Sequence, residues 1–107
     1  MISKLTKALE NRSFADFASM FATDGKFVDY CPSLFGQTNL HLYGRDCIEM
    51  VIRNRFALDK FSIFDPIVEN ENNANYYASY EGLYTAVRLT VELAKDRKVL
   101  LAVARPK

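Results

Sequence analysis

The chain holds no tryptophan, one histidine and two cysteines among its 107 residues, and its net charge is only +1. Each shortage removes a class of function. A single histidine, His41, leaves too few nitrogen ligands for a Cys/His zinc site, and neither a metal nor a cofactor is expected. The near-neutral charge argues against a dedicated nucleic-acid binder, which carries a basic face. The densest basic cluster, Arg53 and Arg55 with Arg45 and Lys60 nearby, is interleaved with Asp46, Glu49 and Asp59 and reads as a solvated helix surface. The longest purely apolar run, Val99 to Ala104, is far below the ~20 residues that span a bilayer, so no membrane partner is expected. Met1-Ile2-Ser3-Lys4 opens directly into an amphipathic pattern, so no export leader is expected. The expectation is a cytoplasmic protein whose Cys31 and Cys47 stay reduced.

What the chain has in quantity is aromatic surface: eight phenylalanines and six tyrosines. Phenylalanine supplies apolar area, while each buried tyrosine brings a hydroxyl that needs a partner. Length and the lack of repeats or linker tracts predict one domain over residues 1–107.

Periodicity divides the chain. Ile2, Leu5 and Leu9 share one helical stripe over Ile2 to Asn11. A second helix is predicted from Ser13, an N-cap with Asp16 at the capping-box position, through Phe14, Phe17, Ala18 and Phe21 to a stop at Asp24-Gly25. Lys26 to Tyr30 is a short strand candidate. Cys31 to Tyr43 has no clean period and contains Pro32, Gly36 and Asn39, which predicts a loop or a broken helical turn of the kind that often carries function. A third helix is predicted from Asp46 as N-cap with Glu49 as its partner, burying Ile48, Val51, Ile52 and Phe56.

Beyond Asp59 the pattern is strand. Phe61 to Glu69 is apolar on both alternating sets, Ala74 to Glu81 places Tyr76, Ala78 and Tyr80 on one face, and Leu83 to Ala94 alternates strictly. Gly82 marks a tight turn or a bulge, and Asp96-Arg97 a hairpin turn leading into Lys98 to Ala104. Helices followed by strands predict an α+β fold, with helices packed on one side of an antiparallel sheet. A strand apolar on both faces predicts that a second copy covers the outer one, giving a homodimer through the sheet.

Phe14-Ala-Asp-Phe-Ala-Ser-Met-Phe21 leading into Asp24-Gly25-Lys26-Phe27-Val28-Asp29, the Tyr43-Gly44-Arg45-Asp46-Cys47-Ile48 helix start and the final strand hairpin follow in an order that resembles the nuclear transport factor 2-like superfamily, in its SnoaL-like branch. The resemblance covers nearly the whole chain. It implies a cone: a curved antiparallel sheet wrapped on N-terminal helices, the cystatin-like arrangement, with a deep apolar pocket and frequent dimers. Members include ketosteroid isomerase, scytalone dehydratase, limonene epoxide hydrolase and polyketide cyclases, and others only bind or assemble, so the fold alone does not assign a function.

Asp29, which ends the strand after the second helix, resembles the general-base carboxylate of the isomerase. A carboxylate in an apolar pocket has its pKa raised towards neutrality, which suits proton abstraction beside a carbonyl. The other reading is an acid at a strand end facing water. His41 sits where the pocket rim is expected, and an Asp29–His41 pair would resemble the dehydratase and cyclase members; the other reading is a surface histidine in a loop. The first helix has no tyrosine to act as oxyanion donor, since Leu5 and Leu9 hold its inward stripe. Tyr30, Tyr43, Tyr76 or Tyr80 can supply a hydroxyl to a ligand from elsewhere. Arg88 and Glu92 share the polar side of one strand and read as a solvated pair, and the two cysteines read as small buried hydrophobes.

Two functions follow. One is a domain binding a small apolar or ring compound. The other is a cofactor-free isomerase, dehydratase or hydrolase using general acid–base chemistry.

Overall fold

The computed structural model describes residues Met1–Lys107 as three helices packed on a six-stranded, curved, open sheet. The elements run α1 (Ile2–Glu10), α2 (Phe14–Ser19), β1 (Phe21–Asp29), a 3-10 turn (Pro32–Phe35), β2 (Leu40–Tyr43), α3 (Arg45–Ala57), β3 (Phe61–Val68), β4 (Asn73–Tyr80), β5 (Leu83–Lys95) and β6 (Lys98–Pro106). The sheet order is β2-β1-β6-β5-β4-β3. Four of the five pairings are antiparallel, and β1 joins β6 in parallel. The helices lie on the inner face, α1 against β3 and β4, α3 against β1 and β2. Phe17, Phe21 and Phe27 meet edge to face at 5.2–6.3 Å in the core below them.

The second helix is shorter than its phenylalanine spacing predicts. It ends at Ser19, because Met20 O already accepts a hydrogen bond from Val99 N and Phe21 pairs with Val99. Sheet pairing therefore takes over the last turn, and Phe21 stays fully buried as a strand residue. Asp24-Gly25 lies inside β1, within a break in the β1–β6 register, rather than at a helix end. Gly25 is required there for space: a Cβ would lie 2.7 Å from Val99 O and 3.0 Å from Ala22 O.

Two cap assignments also differ. The N-cap of α3 is Gly44 at φ +95°, which places Asp46 within the first turn, and no side chain caps the helix. Ser13 does stand at the N-cap of α2, but its hydroxyl makes no capping bond. An acid at Asp46 is still favourable near the helix N-terminus. In the irregular segment, Pro32–Phe35 forms the broken helical turn and Leu40–Tyr43 forms an edge strand that local sequence does not announce.

The C-terminal meander follows its alternation. Glu81-Gly82 and Asp96-Arg97 form tight turns with positive φ at both residues, which matches the twist of the flanking strands. Tyr76, Ala78 and Tyr80 face inward, as do Val87, Leu89 and Val91. Leu93 does not, because the β5–β6 register shifts on either side of it. Phe61 and Ile63 of β3 enter the core, whereas Phe64 and Ile67 stand on the solvent side around a register break at Asp65-Pro66. Arg88 and Glu92 do not pair with each other; Arg88 bridges Glu69 at 2.7 Å and Glu92 bridges Arg105 at 2.8 Å. No helix is long and apolar enough to cross a membrane.

Candidate functional site

The inner end of β1 carries an acid where the pattern calls for an apolar residue. Phe27 and Asp29 alternate inward, opposite Leu42 and Leu40 of β2, and Asp29 is 1% exposed. The chain reverses just beyond it. Cys31 N–H donates to Asp29 Oδ1 at 2.9 Å, so the carboxylate closes the turn two residues ahead, as aspartates often do. The second oxygen has a distant partner in sequence: Tyr80 O–H donates to Oδ2 at 2.6 Å. That distance is in the charge-assisted range for a hydroxyl on a carboxylate.

Tyr76 lies two inward positions before Tyr80 on β4 and is fully enclosed, and its hydroxyl has no hydrogen-bond partner. An unpaired buried hydroxyl is costly, about 1–3 kcal/mol. Aromatic rings flank Tyr80. Phe61 and Phe35 lie 5.4 and 6.2 Å from the Tyr80 ring, and Phe56 stacks on Phe61 at 5.9 Å. Surface grooves of about 640, 570 and 160 Å³ exist elsewhere, and none is lined by Asp29, Tyr76 or Tyr80.

Burial dominates the electrostatics. It raises the Asp29 pKa above the ordinary 3.8, against the lowering effects of the Tyr80 and Cys31 hydrogen bonds and the charge of Arg55. Burial, then the Asp29 charge, pushes the Cys31 thiol and the Tyr80 and Tyr76 phenols upward. All three therefore keep their protons at neutral pH. Tyr80 is a donor to Asp29, and Cys31 is a poor thiolate nucleophile.

The structure thus brings Asp29, Tyr76 and Tyr80 together and leaves His41, Tyr30 and Tyr43 apart from them. His41 is the cross-strand partner of Val28, so it faces outward and is exposed. Its ring meets Tyr30 edge-on at 5.7 Å, and the Arg105 guanidinium lies over Tyr30. Tyr43 is also outside, with Lys26 above its ring. Asp29 and His41 occupy opposite faces of the sheet and cannot share a proton directly. Cys31 and Phe35 belong to the cluster's surroundings and were not singled out from the sequence as such; the two-residue spacing of Asp29 and Cys31 before a proline is the signal that points to them.

No family model and no curated relative matches the chain. Solved structures do match along its length. A SnoaL-like protein from Burkholderia thailandensis superposes with a TM-score of 0.65 at 13% identity, over 98% of this chain and 89% of that one. A nuclear transport factor 2-like protein from Cytophaga hutchinsonii gives 0.68 at 13% identity, over 99% and 86%. A protein from Catenulispora acidiphila with a ketosteroid isomerase-like fold, solved in complex with trimethylamine, gives 0.67 at 13% identity, over 97% and 82%. The chain therefore has the nuclear transport factor 2-like, cystatin-like fold. At this identity the likeness establishes the fold, and the site must speak for the function.

Proposed function

We propose that this chain is a small-ligand-binding domain of the nuclear transport factor 2-like kind, and that the Asp29–Tyr80–Tyr76 cluster is its recognition centre. The observation that carries this is the enclosed Tyr76 hydroxyl without a partner, facing the same interior as a buried carboxyl. A ligand hydroxyl, carbonyl or amine would satisfy it, while Phe35, Phe56 and Phe61 would line the apolar remainder. Such a ligand is small, largely apolar, and carries one polar group. Entry would pass between Phe35 and Tyr80, where the Cys31–Gly36 turn leans on the sheet. A protein with a ketosteroid isomerase-like fold, solved in complex with trimethylamine, supports small-ligand binding by a domain of this kind.

The test is a nuclear magnetic resonance screen of cyclic ketones, alcohols and amines against wild type and Tyr76→Phe. A binder should move the amides of Asp29, Tyr76 and Tyr80 and lose roughly five- to tenfold affinity in the variant, the worth of about one hydrogen bond. A binder that moves only surface amides, or binds Tyr76→Phe equally well, refutes the assignment.

The same cluster supports a second reading, general acid–base chemistry. Its support is an Asp29 pKa raised by burial beside a proton-bearing Tyr80 hydroxyl. Its acid–base pair would be Asp29 and Tyr80, with His41 outside. Turnover of a bound ring compound that survives Asp29→Asn refutes it.

We further infer that a second copy covers the outer face of β3, β4 and β5. Phe64, Tyr77 and Tyr84 expose their rings there, with Phe64 opposite Tyr77 in register. Light scattering should give a dimer for wild type and a monomer for Tyr77→Arg. A wild-type monomer at high concentration overturns this reading.

A further inference from the structure

The groove of about 640 Å³ shares no lining residue with the Asp29 cluster and lies where α1, α2 and the β5–β6 turn meet. Two helical faces form its walls. Lys4, Lys7 and Asn11 follow the i, i+3, i+7 spacing on α1 and its C-cap, and Ser13, Asp16 and Met20 follow it on α2 and its two ends. The β5–β6 turn adds Arg97 and Lys98. Met1, Ala8 and Met20 supply an apolar floor.

Four cations and one carboxylate line this groove, on a chain whose total charge is only +1. None of the four has a carboxylate within ion-pair distance. The four ion pairs of the molecule use Arg12, Lys60, Arg88 and Arg105 instead. Lys98 Nζ donates to Ser19 O at 2.7 Å, which fixes one ammonium at the groove edge. Lys4 and Lys7 stand three residues apart on one helix, a spacing at which like charges repel. The first turn of α1 holds no acid that would relieve them. Cations lining one groove beside apolar side chains suit an anion with an apolar body.

We infer that this groove is a second binding site, for a small organic anion: a phosphate or carboxylate group held by Lys4, Lys7, Arg97 and Lys98, with a short apolar chain on Met1 and Met20. The site is independent of the Asp29 cluster and stands or falls separately from it. Hexyl phosphate is the probe, with inorganic phosphate and hexanol as its two halves and hexanoate as the carboxylate source. Each is titrated into the isotope-labelled full chain at moderate salt.

The expected result is saturable shifts confined to residues 1–20 and 95–99, with hexyl phosphate binding at least threefold tighter than phosphate and hexanol not binding. Tighter binding of hexanoate than of hexyl phosphate would assign the carboxylate as the preferred head group within the same site. Lys7→Gln and Arg97→Gln, both at exposed positions, should each weaken binding about fivefold, the effect of removing one charge contact, whereas Lys107→Gln should not. Equal affinity for hexyl phosphate and phosphate overturns the apolar floor and with it the proposed ligand class. Shifts spread over lysines across the surface, or insensitivity to Lys7→Gln and Arg97→Gln, overturn the site.

Discussion

Replacing Asp29 by asparagine removes one ionisable group from the interior while keeping a side chain of nearly the same shape. The asparagine oxygen can still accept from Cys31 N–H, and its amide can donate to the Tyr80 oxygen, so both bonds survive with one polarity reversed. At low pH, where the native carboxyl is neutral, the two proteins should differ by no more than about 1 kcal/mol. They diverge as pH rises. The folded-state pKa of Asp29 is raised above 3.8, chiefly by burial. Between the unfolded and folded values the unfolded chain has lost this proton and the native chain retains it. The Asp29 contribution is thus fully present below the unfolded pKa and is lost as pH rises through the folded one. The loss has a fixed slope of about 1.4 kcal/mol per pH unit for one proton. The direction is opposite to that of an aspartate held in a salt bridge. Urea unfolding of wild type and Asp29→Asn at half-unit steps from pH 3.5 to 8 measures it. The wild-type minus variant difference should fall from near zero with that slope and level off once the native carboxyl ionises. A flat difference would mean that burial and the hydrogen bonds from Tyr80 and Cys31 cancel. A difference rising in favour of wild type would mean that the hydrogen bonds win, and the account of a neutral buried carboxyl would be wrong.

Gly25→Ala forces a Cβ against two backbone carbonyls, those of Val99 and Ala22, neither of which can swing aside. It should cost about 1–3 kcal/mol and lower the melting temperature by several degrees in a calorimetric scan; a wild-type melt refutes the close-approach argument. Phe35→Ala removes the ring that leans on Tyr80 and opens a path to the buried Cys31. In native wild type an alkylating reagent should modify the half-buried Cys47 and spare Cys31, and in the variant both should react; an unreactive Cys31 in a folded Phe35→Ala protein would show that the barrier lies elsewhere.

Much of this architecture was legible because strong periodicities have few outlets. The Tyr76/Ala78/Tyr80 alternation placed three residues on one face, and burial of that face follows directly. The misreadings of β1 and β2 share one physical cause, long-range pairing overriding a local signal. Asp24-Gly25 is a good turn dipeptide, yet it lies within a strand because β6 arrives beside it. Leu40–Tyr43 is too short and too close to Pro32, Gly36 and Asn39 to be read as a strand, and it is one only because β1 pairs with it. The side of the sheet taken by His41 depends on that same register. Its partner Val28 faces outward, and a slip of one residue would have turned His41 toward Asp29. Asp29 was conspicuous as an acid ending an apolar run, while its bond to Tyr80 spans 51 positions and leaves no local trace.

The single parallel pairing has a consequence for the order of assembly. β6 is the last strand along the chain but stands third in the sheet, between β1 and β5. Until it is made, β1 and β2 form an isolated hairpin with helices on one side and an unpaired edge on the other. Tyr30 N–H, immediately after Asp29, also waits for Ala104 O. Contacts this distant in sequence slow folding, because the loop must close before any bond rewards it. On a ribosome, the acid would therefore emerge before β6 and remain in water until that strand was synthesised. The last pairing thus carries a carboxyl from water into an interior that raises its pKa, so insertion of β6 should become more favourable as pH falls.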